Sequence, residues 1–182
     1  MAAFALGVNA PAKADDGQAQ ASSAIAAARL YTAQGPRKSV SKRLLENHNS
    51  ERTKLGLQPL RWNAQLEAEA ARWGETLAGK GYLQHADQSA RSGAGENLWM
   101  GTAGYWDVDG MFKMFIDERK DYRHKTFPNV SRTGDWKDVG HYTQIVWRDT
   151  REVGCAVVTG NGNDVLVCRY WPAGNVLGSK AY

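Results

Sequence analysis

The stretch Gly140-His-Tyr-Thr-Gln-Ile-Val-Trp147, followed by Glu152-Val-Gly-Cys-Ala-Val-Val-Thr-Gly-Asn-Gly-Asn-Asp-Val-Leu-Val-Cys-Arg-Tyr-Trp171, decides how the chain folds. Two apolar runs, Val153–Thr159 and Asp164–Trp171, flank Gly160-Asn161-Gly162-Asn163, and each run holds one of the two cysteines. Asn-Gly between β-rich runs signals a two-residue hairpin, because a type I′ turn needs positive φ at both central positions. With Asn161 and Gly162 as the loop, Gly160 faces Asn163, and counting outward sets Cys155 opposite Cys168. Pairs alternate outward from the hydrogen-bonded pair beside the turn, so this is a non-hydrogen-bonded pair, with Cα atoms about 4.5 Å apart, close enough for a disulfide. Val157 opposite Leu166 and Val153 opposite Tyr170 share its face. Two unrelated buried thiols in a reducing compartment are the alternative. The register favours the bridge, and the bridge in turn favours an oxidising compartment.

Working outward, the 182 residues suffice for one domain with a real core. No apolar run approaches the roughly 18 residues of a membrane-spanning helix. The formal charge of +4 is spread over Lys and Arg mixed with acids. That patterning describes a solvated surface, not a nucleic-acid interface. At the N-terminus, small and apolar residues end in Ala12-Lys13-Ala14, like the cleavage site that closes a secretory signal. Residues 1–14 are accordingly read as the remnant of a signal peptide, 15–38 as an Ala-rich flexible linker and 39–182 as the domain. Ala21–Tyr31 has helical propensity but little apolar stripe.

Four further segments have clear periodicity. Ser39–Leu55 reads as a helix, capped by Ser39 or Ser41, with Val40, Leu44, Leu45 and His48 on one face and Gly56 at its end. Asn63 caps a second helix to Leu77, striped by Leu66, Ala70, Trp73 and Leu77 and stopped by Gly79 and Gly81. Gly95–Met100 reads as a short strand. Asp107–Tyr122 reads as a third helix, with Met111, Met114, Phe115, Glu118 and Tyr122 along one side. His141–Trp147 fits a short buried helix leading into the hairpin. Helices first and antiparallel strands last define an α+β fold.

These residues resemble the CAP superfamily of cysteine-rich secretory proteins, antigen 5 and plant pathogenesis-related 1 proteins, also called the SCP domain. Gly140–Trp147 with Gly154-Cys-Ala156 is similar to the family's first signature, and Val167-Cys-Arg-Tyr-Trp-Pro-Ala-Gly-Asn175 to its second. His48-Asn49-x-x-Arg52, Pro59-Leu60-x-Trp62-Asn63 and Gly95-Glu96-Asn97-Leu98 fit its earlier motifs in order. The resemblance covers about residues 40–178 and implies a three-layer α-β-α sandwich around a central antiparallel sheet. It also implies a cleft lined by His85, Glu96, Glu118 and His141. Phe115 stands where the family usually has Trp, and Gln84-His85-Ala86-Asp87 departs from the usual context of that histidine.

The chemistry of such a tetrad stands beside the resemblance. Two neutral imidazoles, His85 and His141, suit a divalent cation such as zinc, and carboxylates can orient them or hold a bound water. If that water were activated, Glu96 or Glu118 would serve as general base, and the protein would be a metal-dependent hydrolase of peptides or cell-envelope polymers. Against this, two histidines without a third protein ligand make a weak, open site. No serine nucleophile motif is present, and a bridged cysteine is no nucleophile. The favoured expectation is an exported, secreted or periplasmic, binding protein rather than an enzyme. It takes a divalent cation and, as the resemblance implies, a small hydrophobic ligand such as a sterol or other lipid, with Tyr105, Trp106, Phe127 and Trp136 as aromatic candidates. A network that only knits helices to sheet is the third alternative. His48 and His124 are read as structural.

Overall fold

A computed structural model describes residues 37–182; the signal-like residues 1–14, the Ala21–Tyr31 segment and nearly all of the expected linker lie outside the described residues. The hairpin forms as its turn chemistry dictates. Strand β3 (Glu152–Gly160) pairs antiparallel with β4 (Asn163–Trp171), Gly160 faces Asn163, and Asn161 and Gly162 take φ of 48° and 75°. Cys155 stands opposite Cys168 with Cα atoms 4.1 Å apart and the sulfurs bonded. Val157 faces Leu166 and Val153 faces Tyr170, as the count from the turn requires.

Two more strands complete the sheet. Strand β1 (Arg61–Trp62) runs parallel to β3, and β2 (Gly95–Thr102) runs antiparallel to β4, giving the order β1-β3-β4-β2. The sheet is therefore mixed rather than purely antiparallel. Strand β1 has only two residues, too short for any alternation to register, and it owes its place to Arg61 N–H donating to Arg151 O and Asn63 N–H donating to Val153 O.

Alternation along β3 and β4 sends side chains to two separate cores. Cys155, Val157, Leu166, Cys168 and Tyr170 pack against helices α1 (Arg37–Lys54), α3 (Val108–Asp117) and α4 (Gly140–Ile145). Ala156, Val158, Val165 and Val167 pack against α2 (Ala64–Lys80). Helices thus cover both faces, in three layers. Helix α2 lies close because small residues face the sheet: a Cβ on Gly74 would come within 2.8 Å of Val158 Cγ2. Trp73, expected on that stripe, is only half-buried. Asn63 caps α2 by accepting from Gln65 N and Leu66 N, and left-handed Gly81 ends it, so Gly79 stays inside the helix.

Three expected details change. Ser41 does not cap α1; it sits inside the helix and donates to Glu67 Oε1 on α2. Helix α3 does not continue to Tyr122 but tightens into a 3-10 turn over Glu118–Asp121. Met114 is exposed while Phe112 takes the buried position, because Asp107, accepting from Gly110 N, sets the start of the helix so that Val108, Met111, Phe112 and Phe115 form the inward face.

Candidate functional site

Glu96 and Asn97 are consecutive on β2, an edge strand, so their side chains leave on opposite faces. Glu96 shares its face with Leu98 on the α2 side, and Asn97 reaches the α4 side, where its Nδ2 donates to His141 O at 3.0 Å. A cleft of about 630 Å³ opens here, lined among others by His85, Glu96, Asn97, His141 and Gln144.

Each histidine has its own carboxylate. His85 follows α2, and its Nδ1 lies 2.6 Å from Glu96 Oε1, which also accepts from Ala86 N at 3.1 Å. The Glu96 side chain is fully buried, and its other oxygen lies 3.1 Å from Arg169 Nη2, directly across the β2–β4 register. His141 opens α4. Its Nδ1 lies 2.5 Å from Glu118 Oε1, while Glu118 Oε2 accepts from the backbone N–H of His141 (2.9 Å) and Tyr142 (3.0 Å). The Phe115 ring stacks on the imidazole at 4.7 Å. Glu118 can reach these amides because the chain has left α3 for the tighter turn. It braces His141 from behind and does not line the cleft, whereas His85, Glu96 and His141 do.

With both Nδ1 atoms engaged, each ring has its Nε2 left for a ligand. Carboxylate behind imidazole fixes tautomer and ring orientation in metal sites. Among the described residues, the three metal-ligating side chains whose donor atoms gather within 4.8 Å are instead His48, Cys155 and Cys168. That trio is no metal centre. Its sulfurs are joined to each other, and both ring nitrogens of His48 are taken, by Leu44 O at 2.7 Å and the Tyr170 hydroxyl at 2.9 Å.

Two buried arginines, Arg52 and Arg169, stand in the motifs quoted above but were given no role there. Arg169 is buried beside Glu96; burial pushes its pKa down, opposed by the Glu96 charge. A lone cation in an apolar strand was the available signal, since such a charge requires a partner. Arg52 donates from Nε to Gln58 O, from Nη1 to Ile145 O and Trp147 O, and from Nη2 to Thr150 O, tying α1 to the carbonyl end of α4. Burial lowers its pKa to about 10. His48 is structural, as expected, and His124 meets the Tyr182 ring edge-on at 4.8 Å. Of the aromatic candidates, Phe127 is buried as a loop anchor, Tyr105 is exposed, and Trp136 stands on the cleft.

The model of the Cysteine-rich secretory protein family, CAP, matches residues 45–170, and the chain belongs to that family. Pathogenesis-related protein PRMS of Zea mays is 36% identical over 141 residues, 76% of this chain and 80% of the relative. Golgi-associated plant pathogenesis-related protein 1 of Homo sapiens is 33% identical over 137 residues, covering 74% and 83%. Among solved structures, NaASP2 with Zn2+ superposes with a TM-score of 0.67 at 24% identity, over 78% of this chain and 83% of that one.

Proposed function

We propose that this CAP-domain protein is exported and binds a divalent cation between His85 and His141, without catalysing a reaction. The observation that carries the proposal is the paired arrangement of two imidazoles, each held through Nδ1 by its own carboxylate, on one cleft. Zinc suits such a donor set, with water completing the shell. The ligand count supports binding in place of hydrolysis. No third His, Cys, Asp or Glu ligand atom closes on the two rings among the described residues, and catalytic zinc ordinarily has three protein ligands. That a protein of the same fold has been solved with Zn2+ agrees with this choice of ion. Export is supported by the Cys155–Cys168 bridge, which persists in oxidising compartments, and by the family's membership of secretory proteins. No described helix is long and apolar enough to cross a membrane. A small hydrophobic ligand could rest on Trp136, an exposed residue that lines the cleft.

Calorimetric titration of Zn²⁺ into the wild type, His85→Ala and His141→Ala tests the cation. Saturable heat in the wild type that disappears in both variants is expected. Negligible heat in all three would overturn the proposal.

A further inference from the structure

The charged and titratable side chains lining the cleft are His85, Arg91, Glu96, Lys137 and His141. Glu96 is the one acid among them, and Arg169 meets its charge from inside the sheet. Among the described residues, nothing comparable meets the two lining cations. The Arg91 guanidinium is fixed in place, with Nε donating to Ala86 O and Nη1 to Ala94 O, both at 3.0 Å. Those partners are neutral carbonyls, and no carboxylate pairs with Arg91 among the described residues. Its charge is felt by Arg169, where it opposes the attraction of Glu96 and of Glu69 on α2. Lys137 sits on the 3-10 turn Trp136–Val139 that precedes α4, exposed, with no ion pair to its ammonium among the described residues. Three of the four amide side chains of the lining are already committed, Gln144 to Thr150 and Gly174, Asn97 to His141 O and Tyr170, Asn175 to Gly140 O and Thr143, and the fourth, Gln88, is neutral. The charged and titratable groups left to meet a ligand are therefore two cations and two imidazole Nε2 atoms, beside the neutral amide of Gln88.

Resting on the assignment of this cleft as a binding site, we infer that its ligand carries an anionic group, a carboxylate or a phosphate monoester, held by Arg91 and Lys137 beside the two histidines. A guanidinium already oriented by carbonyls loses little freedom on meeting an oxyanion, and a planar fork matches both anions. Lys137 adds a mobile point charge at the rim. A cation on His85 and His141 would add to the same positive field. Trp136, the neighbour of Lys137, offers an apolar face to the remainder of such a ligand.

The test uses the full chain without metal and follows backbone amide resonances while inorganic phosphate or acetate is added against a chloride background. Saturable shifts at Gly95, Gly140 and Gly174 are expected. Lys137→Glu should weaken them about tenfold, the size of reversing one partly solvated charge near the anion. Lys125→Glu is the control; it lies in a second, larger hollow of about 680 Å³ lined by Arg123, His124, Lys125 and Lys180 and should leave the cleft shifts unchanged. Tighter phosphate binding assigns the phosphate monoester, and equal or tighter acetate binding the carboxylate. No saturable shift with either anion, or equal weakening by Lys125→Glu, would overturn the inference. Zinc calorimetry on the same samples keeps the two proposals apart. Protein that binds phosphate but not zinc refutes only the cation, and protein that binds zinc but neither anion refutes only the anionic ligand.

Discussion

The Tyr170 hydroxyl, on β4, lies 2.9 Å from Nε2 of His48, on α1, inside the core beside the disulfide. His48 Nδ1 lies 2.7 Å from Leu44 O, so Nδ1 carries the proton, Nε2 accepts from Tyr170, and Tyr170 in turn accepts from Asn97 Nδ2 at 3.1 Å. The network is satisfied only with a neutral imidazole. Burial is the main cause that lowers the His48 pKa to about 4, with a smaller push from Arg52. The unfolded chain, titrating near 6.5, binds a proton that the folded protein refuses between these values. Stability from this residue is complete above about pH 6.5 and falls as pH drops towards about 4, by about 3 kcal/mol in total. Urea unfolding at pH 7 and pH 4.5 should show the loss, and His48→Gln should remove most of that pH dependence.

The bridge between Cys155 and Cys168 closes a loop of sequence separation 13. Chain-entropy reasoning gives a loop this short about 3 kcal/mol of stabilisation. Cys155→Ala/Cys168→Ala should therefore unfold at lower denaturant by that amount, with the fold kept by the β3–β4 register. A thiol assay on native wild type should find no reactive cysteine; two would contradict the pairing.

Two glycines are expected to respond oppositely to alanine. A Cβ on Gly154 would lie 2.2 Å from Glu67 N and 2.5 Å from Asn63 O, where the start of α2 crosses β3. Backbone cannot yield as a side-chain tip does, so Gly154→Ala should cost about 3 kcal/mol, the upper end for overpacking. Gly79 is helical with nothing within 4 Å of such a Cβ. Gly79→Ala should stabilise by about 0.5–1 kcal/mol, the helix-propensity difference. Thermal melts of both variants check the contrast.

What was legible in the sequence follows from how locally each feature is encoded. Asn161-Gly162 fixed the turn, and the turn fixed the register and the cysteine pair, because strand pairing repeats every two residues. Asn63 and Asp107 announced their helices through cap chemistry that acts within three residues. Strand β1 stayed hidden because its evidence is a pairing with a segment ninety-one positions later, Arg61 with Glu152. His85, Glu96 and His141 of the cleft, and Glu118 behind it, came from motif resemblance, and nothing in periodicity could have joined His85 to Glu96. The role of Glu118 behind His141 was also out of reach, since it depends on α3 tightening at its last turn. Arg52 and Arg169 stand within the quoted motifs, but finding their partners requires the folded chain.

Glu96 and Glu118 support their histidines by different means, and this makes the last prediction sharper than a count of lost ligands. Glu118 holds His141 through three contacts, one to the ring and two from backbone N–H groups. Glu118→Gln keeps the shape but replaces an oxygen acceptor with a donor that faces either an amide or the ring. Glu96 is held by Ala86 N and Arg169, so Glu96→Gln leaves a buried arginine without its counter-charge as well as loosening His85. Both substitutions should weaken Zn²⁺ about 10–100-fold, the usual cost of losing a carboxylate behind a histidine ligand. Only Glu96→Gln should also lower thermal stability markedly, because an unpaired buried charge costs several kcal/mol. Calorimetry and melting on the same two preparations would show it. Zinc affinity unchanged in both variants, with stability lost in Glu96→Gln alone, would mean that the carboxylates serve the fold and not the ion.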